Sequence, residues 1–124
     1  MKEIVQSIKP KWVDLIFKGV KTIELRKSRP ANIEYPFKVY IYETKLGAGA
    51  IVGEYMCNGI TTSNLSLLVG LGSCVSANEL MEYMGNGKIS AWSITNVIKY
   101  KKHKPLSDFG IARAPQSWCY IHCK

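Results

Sequence analysis

Hydrophobic and polar residues alternate over several short stretches of this 124-residue chain, which is typical of a protein rich in β-strands. A first strand is predicted at 4–9 and is ended by Pro10. Apolar residues then recur at a spacing of about 3.6 residues, so we predict a helix that begins at Pro10 and is closed by Gly19.

The segment 21–27 has the most regular alternation in the N-terminal part of the chain. Its apolar residues face one side, and its polar residues face the other, namely Thr22, Glu24 and Arg26. This pattern predicts a half-buried strand with a polar row on its exposed face. Lys21 precedes this row and joins it only if the chain turns at 19–21.

Two later β-rich runs, 37–43 and 50–57, predict a hairpin, because a short Gly/Ala turn joins them. Gly53 lies inside the second run and indicates a bulge or a close approach of another segment. Ser76 and Glu79 have capping-box spacing and predict a short helix to about residue 84. The remaining segments are predicted as a surface excursion at 58–75, a strand at 89–99, an irregular stretch at 105–115 and a final strand at 117–122.

Five to six short strands with two or three short helices predict the α+β class and a single domain over 1–124. We expect one curled sheet, mixed or antiparallel, that closes or nearly closes into a barrel. The order of elements is not the strand–helix alternation of a parallel sheet, and no glycine-rich phosphate loop is present.

Positive charge is concentrated in two parts of the chain, whose net charge is +8. Residues 1–30 hold eight basic and three acidic side chains, and residues 88–105 hold five basic and no acidic ones, whereas residues 31–87 are net acidic. Two basic segments on either side of an acidic one predict a single basic face, which favours a polyanionic partner such as nucleic acid. The alternative is that surface lysines only maintain solubility.

The sequence gives no sign of a membrane segment, a signal peptide or a metal site. No apolar run approaches the roughly 18 residues that span a bilayer, and the N-terminus lacks a signal-peptide core. We therefore expect a cytoplasmic protein with reduced cysteines. In an extended strand the sulfurs of Cys119 and Cys123 lie about 13 Å apart, which is too far for them to share a metal ion. No metal is therefore expected, and no cofactor is expected either.

The motif Gly19-x-Lys21-x-x-Glu24-x-Arg26, placed after a strand and a glycine-ended helix, resembles the ASCH domain family (activating-signal-cointegrator homology) of the PUA-like superfamily. The order of the later strands is also similar. The segment 114–118 resembles the end of small phage- and bacteria-associated members. This resemblance implies a PUA-like β-barrel with a cleft over the motif strand, and a role in RNA binding or RNA-linked processing.

The resemblance and the charge pattern together identify a candidate RNA-binding or nucleotide-binding site. Arginine and lysine suit phosphate or base edges, and Glu24 is suited to orient Arg26 or to accept from a base amine. An exposed Glu24–Arg26 ion pair without a ligand is the alternative. Tryptophans in a cleft stack on bases, although core packing is an equally ordinary role. The candidate residues are Lys9, Lys11, Lys21, Glu24, Arg26, Trp92 and Trp118.

Two other functions stay open at this point. Small members of the family include amidohydrolases acting on N4-acetylcytidine, whose catalytic set is a lysine and a threonine of the motif strand with a more distant glutamate. Lys21 matches that lysine, and Glu24 occupies the threonine position, which departs from the family pattern. Lys21 and Glu24 are therefore the candidate catalytic residues, and the distant glutamate is left open among Glu54, Glu79 and Glu82. The third possibility is a protein-interaction adaptor that uses the excursion at 58–75, with a partner that the sequence does not identify.

Overall fold

Eight strands form two sheets in the computed structural model of the protein, which describes residues 2–63, 72–76, 78–79, 82 and 87–122. The elements in chain order are β1 (Lys2–Ile8), α1 (Pro10–Phe17), β2 (Ile23–Arg26), β3 (Phe37–Glu43), β4 (Ala50–Cys57), β5 (Ile60–Ser63), β6 (Ile89–Ser93), β7 (Thr95–Lys104), a 3₁₀ helix (Leu106–Phe109) and β8 (Trp118–His122).

The larger sheet has the strand order β7-β4-β3-β1-β8, and the smaller has the order β2-β6-β5. Only β1 and β3 pair in parallel, and the other pairs are antiparallel. The α+β class is thus confirmed, but the sheet does not close into a barrel, because β7 and β8 are left as its two edges. The eight strands exceed the five to six that the sequence predicted.

The additional strands have identifiable local causes. The predicted strand 89–99 is divided at Ile94 into β6 and β7, and each half pairs with a different sheet. Asn96 has a positive φ of 49° just after this division. β5 lies within the segment predicted as a surface excursion, where Thr61 and Thr62 pair with β6. Residues 64–71 of that segment are outside the described residues.

The large sheet is covered on both faces, and this arrangement determines where the site lies. On one face, α1 and the small sheet enclose the main core, which includes Ile4, Ile16 and Trp92. On the other face, the 3₁₀ helix contributes Leu106 and Phe109 to a second cluster. α1 therefore lies between the large sheet and the surface. No helix among the described residues is long and apolar enough to cross a membrane.

The local predictions for the hairpin and the capping box are confirmed. β3 and β4 have the predicted bounds and pair antiparallel. Ser76 Oγ accepts a hydrogen bond from the Glu79 amide (3.1 Å), and Glu79 Oε1 accepts one from the Ser76 amide (3.4 Å). Asn78, Glu79 and Glu82 are helical, while the rest of the helix predicted to residue 84 lies outside the described residues.

Gly53 occupies the close approach predicted for it. The β3–β4 register shifts beside it, and a Cβ at this position would meet the carbonyl oxygen of Ile98 and lie 2.7 Å from the ring of Phe17. We expect Gly53→Ala to lower the free energy of unfolding by about 1–3 kcal/mol, measured by urea denaturation. Gly59→Ala is the matched control, because a Cβ there meets no atom within 4 Å. Equal stability of the two variants would contradict this packing.

Candidate functional site

The turn between α1 and β2 brings Lys21 next to the polar row of β2. Gly19 has a φ of +77°, and the amides of Val20 and Lys21 both donate to the carbonyl of Leu15. The chain therefore reverses before the strand starts at Ile23. This is the turn that the sequence required for Lys21 to join Glu24 and Arg26.

Lys21, Glu24 and Arg26 form a buried ionic cluster. Lys21 Nζ lies 3.4 Å from Glu24 Oε1, and Arg26 Nη2 lies 2.7 Å from Glu24 Oε2. The exposed fractions of the three side chains are 1%, 6% and 12%. Of the polar row predicted to be exposed, Thr22 is exposed as expected. The expectation is wrong for Glu24 and Arg26, and their ion pair is not exposed either, because other segments of the chain cover this part of β2.

Those covering segments are joined to the cluster by hydrogen bonds. Lys21 Nζ donates to the carbonyl oxygen of Ser73. Arg26 Nη2 donates to the carbonyl of Ser7 (2.8 Å), and Nη1 donates to the carbonyl and hydroxyl of Ser117 (3.3 and 3.1 Å). Arg26 thus connects β2 with the end of β1 and the start of β8. Much of its hydrogen-bonding capacity is used within the protein.

The cluster lies in the wall of a cavity of about 540 Å³. β1, α1, β2 and residues 75, 79 and 82 all contribute to the wall, whose described part combines one indole ring with hydroxyl, amide and charged groups. Among the described residues the lining is Ser7, Lys9, Trp12, Lys21, Glu24, Leu25, Arg26, Thr44, Val75, Glu79, Glu82 and Gln116.

Charges in the described lining balance one another. Three basic side chains, those of Lys9, Lys21 and Arg26, face three carboxylates. Two of these carboxylates, on Glu79 and Glu82, are exposed, and hydrogen bonds from Ser76 lower the pKa of Glu79. The lining therefore has a formal charge of zero, so the excess positive charge of the protein lies mainly elsewhere.

Burial lowers the pKa of Lys21 below the ordinary lysine value of 10.5, although the Glu24 carboxylate opposes this shift. Between its folded-state pKa and 10.5, the unfolded chain binds more protons at Lys21 than the folded chain does. We therefore expect the stability of the wild type, relative to Lys21→Met, to rise as the pH increases through this alkaline range. Urea denaturation of both proteins at several pH values measures this difference, and a difference independent of pH would contradict the buried position of Lys21.

Tyr55 lies behind the cluster, in the main core. Its hydroxyl donates to Gln6 Oε1 at 2.7 Å, and both side chains are fully buried. Burial raises the pKa of Tyr55 well above 10, and the Glu24 carboxylate raises it further. The inner side of the cluster is therefore closed by uncharged polar groups of the core.

The structure brings together four of the seven residues predicted for the site, namely Lys9, Lys21, Glu24 and Arg26. Lys11 is exposed, and its ammonium lies 4.4 Å from the ring centroid of Trp12. Trp92 is fully buried against Phe37 and Trp118. Trp118 is partly buried, and its indole N–H donates to Ser28 Oγ (3.0 Å). Neither Trp92 nor Trp118 lines the described cavity.

Trp12 is a site residue that was not among those predicted from the sequence. Its ring lies on the apolar face of α1 and packs against the main core. Trp12 is half-buried, lines the cavity and lies 5.0 Å from Lys21 Nζ. The feature of the sequence that could have identified Trp12 as a site residue was its position two residues after Pro10, in the first turn of α1. Of the three glutamates left open, Glu79 and Glu82 line the cavity, whereas Glu54 binds Tyr100 and Lys38 elsewhere.

Solved structures that this chain resembles include those of an ASCH protein from Zymomonas mobilis. Its wild-type crystal structure matches with a TM-score of 0.83 and 21% identity, over 97% of this chain and 87% of that one. Two point variants of that protein match similarly. One has a TM-score of 0.83 and 20% identity, over 97% of this chain and 88% of that one. The other has a TM-score of 0.84 and 21% identity, over 98% of this chain and 91% of that one. No protein-family model and no curated protein matches the sequence. The expected ASCH fold is thus confirmed.

Proposed function

We propose that this chain is an RNA-binding domain of the ASCH family, whose cavity holds one nucleoside unit of the RNA. The observation that carries the proposal is the cavity itself, in which an indole ring and a buried ionic cluster share a wall whose described residues have a formal charge of zero. A neutral wall with an aromatic ring suits an uncharged heterocycle better than it suits a phosphate group.

The size and chemistry of the cavity support this ligand class. Its volume of about 540 Å³ falls within the range of about 300–1,000 Å³ that is usual for small-ligand pockets. Trp12 offers an aromatic surface to a base, and stacking of this kind tolerates any base. Ser7, Thr44 and Gln116 supply hydroxyl and amide groups that suit the edges of a base or the hydroxyls of ribose.

The charged residues take different roles in this proposal. Lys9 is exposed at the wall and contacts the phosphate next to the bound unit, and Lys11 lies on the same approach. Glu24 and Arg26 hold each other in place, so that the carboxylate is oriented before a base with an exocyclic amine arrives. Lys21 stabilises the same carboxylate from its other side.

Fluorescence anisotropy with a labelled single-stranded RNA of mixed sequence tests the proposal. We expect saturable binding that is weakened by competition with free nucleosides, because these enter the cavity without the rest of the strand. The same titration with DNA shows whether the 2′-hydroxyl contributes. Absence of binding to RNA and to every nucleoside would overturn the proposal.

A second candidate function, hydrolysis of the acyl group of N4-acetylcytidine, is favoured by the state of Lys21. A lysine acts as a base only after losing its proton, and burial lowers the pKa of this ammonium group. In this scheme neutral Lys21 accepts a proton from water, and the hydroxide adds to the acetyl carbon. The bond between the acetyl carbon and N4 then breaks, and N4 receives the proton that Lys21 took from water. Cytidine is released together with acetic acid, which ionises to acetate.

Incubation with N4-acetylcytidine and chromatography of the products tests the second candidate. Turnover by the wild type that disappears in Lys21→Met supports it. A Lys88→Met variant is the matched control, since Lys88 is exposed and outside the described lining. Lack of cytidine release at high protein concentration would exclude this activity and leave RNA binding as the proposed function.

A further inference from the structure

Strand β7 carries the densest positive charge outside the cavity. It is an edge strand of the large sheet, so one side of its backbone is not covered by another strand. Five of its last six residues are basic or histidine, and all five are exposed: Lys99, Lys101, Lys102, His103 and Lys104.

These lysines are not neutralised within the described structure. All nine acidic side chains of the protein belong to the described residues, and their ion pairs involve Lys18, Lys21, Arg26 and Lys38 but no lysine of β7. The contacts that β7 lysines make are with aromatic rings: Lys99 Nζ lies 5.7 Å from the ring centroid of Phe17, and Lys104 Nζ lies 4.6 Å from that of Tyr100. β7 therefore presents uncompensated positive charge.

Helix α1 connects this strand with the cavity. Trp12, near the start of α1, lines the cavity, and Phe17, at its end, lies beneath Lys99. Five residues of helix separate the two aromatic rings, which is an axial rise of about 7.5 Å. A nucleic-acid strand with one base in the cavity reaches β7 within a few nucleotides.

We propose that β7 binds the phosphate backbone of the same RNA strand whose nucleoside occupies the cavity. This inference rests on the proposed RNA-binding function. By strand alternation Lys99 and Lys101 lie on one face of β7 and Lys102 and Lys104 on the other, and the pairing with β4 shifts register between Lys99 and Lys104. A nucleic-acid strand that runs along the uncovered edge of β7 is within reach of lysines from both faces, and lysines two residues apart are displaced by about 6.7 Å. The neutral cavity then selects the nucleoside, and β7 supplies the electrostatic affinity.

Two other uses of a lysine-rich edge strand are less well supported. Lysines on an edge prevent pairing with other sheets, but that use alone gives them no part in RNA affinity. An anionic membrane surface attracts the same charges, but stable binding to it needs an apolar face to insert. Ile98 is the one large exposed hydrophobic residue of β7.

The test compares a variant that replaces the four β7 lysines by glutamine with a control that replaces Lys2, Lys45, Lys88 and Arg113 by glutamine, which removes the same number of positive charges elsewhere. RNA affinity is measured by anisotropy between 50 and 200 mM salt. Four phosphate contacts to a single strand correspond to a slope of about −2.8 in log affinity against log salt. We therefore expect wild type and control to lose about 50-fold more affinity over this range than the β7 variant does.

The outcomes separate this inference from the proposed function. If the β7 variant loses salt dependence while nucleosides still compete, both stand. If it binds RNA like the control, the β7 site is overturned and the cavity proposal stands. If β7 controls RNA binding but nucleosides never compete, the cavity proposal fails alone. If the β7 variant aggregates without losing RNA affinity, the lysines only protect the edge strand, and the β7 site is overturned. If the wild type binds vesicles that contain phosphatidylserine but does not bind RNA, β7 is assigned to membranes and the inference is overturned as well.

Discussion

The Glu24→Gln variant is expected to unfold with a free energy about 3–5 kcal/mol below that of the wild type. The substitution retains the size of the side chain but removes the one carboxylate that pairs with both Lys21 and Arg26. Two cations would then remain buried without a counter-charge, and the desolvation of each would no longer be offset. Urea denaturation followed by circular dichroism measures the loss.

Two controls make this prediction specific. Glu34→Gln makes the same chemical change at an exposed position, and a change there is expected to stay within about 0.5 kcal/mol. Lys21→Met removes one cation but leaves Glu24 paired with Arg26, so it should be far milder than Glu24→Gln. Similar losses in Glu24→Gln and Glu34→Gln would show that the cluster does not stabilise the fold.

The Trp12→Ala variant is expected to bind RNA about 5- to 150-fold more weakly than the wild type, because stacking of one base contributes about 1–3 kcal/mol. The ring of Trp12 is the aromatic surface of the described lining. Since this wall is neutral overall, loss of the ring should weaken binding by a similar factor at low and high salt. Anisotropy titrations at both salt concentrations measure the effect.

Trp118→Ala is the matched control for this variant. It removes the same side chain from a partly buried position that packs against Trp92 and Tyr120, outside the described cavity lining. Both variants are compared at a temperature where thermal denaturation shows them folded. A larger affinity loss in Trp118→Ala than in Trp12→Ala would move the base-binding surface away from the cavity.

Much of the fold could be predicted from the sequence because it is encoded by residue patterns within single strands, turns and helix ends. The alternation at 37–43 and 50–57 identifies the hairpin, the glycine at 53 marks the close approach to Phe17, and Gly19 closes α1. Barrel closure and strand number depend on which edges pair across the molecule. No short-range pattern encodes that pairing, which is why β5 and the division at Ile94 were missed.

The candidate site was predictable in part for the same reason. The motif spacing identifies Lys21, Glu24 and Arg26, but alternation shows only that Glu24 and Arg26 share a side of β2. Whether that side is exposed depends on Ser73 and Ser117, which are far away in the sequence. Trp12 was missed for the same reason, since helical spacing places its ring on the apolar face of α1 but does not reveal that this face meets a cavity as well as the core. Trp92, which was predicted for the site, is buried in the core instead.

The charge pattern predicted a polyanionic partner from the total charge of each segment, but it did not predict where the positive charge lies in the structure. The net charge of each segment shows that residues 88–105 are basic, but it does not show which of those residues share a surface with residues 1–30. In the structure the cavity is neutral in its described lining, and the lysines of β7 form a separate exposed strand. Discrimination and electrostatic attraction are therefore assigned to two different surfaces.

The most direct test is a nuclear magnetic resonance titration of ¹⁵N-labelled protein with single-stranded RNA, in which the three tryptophan indole N–H groups serve as reporters. Trp12 lines the cavity, Trp92 is buried in the core, and Trp118 lies outside the lining. We expect the Trp12 signal to shift saturably while that of Trp92 stays nearly constant. A Trp12 signal that does not move while RNA binds would contradict the assignment of this cavity as the nucleoside site.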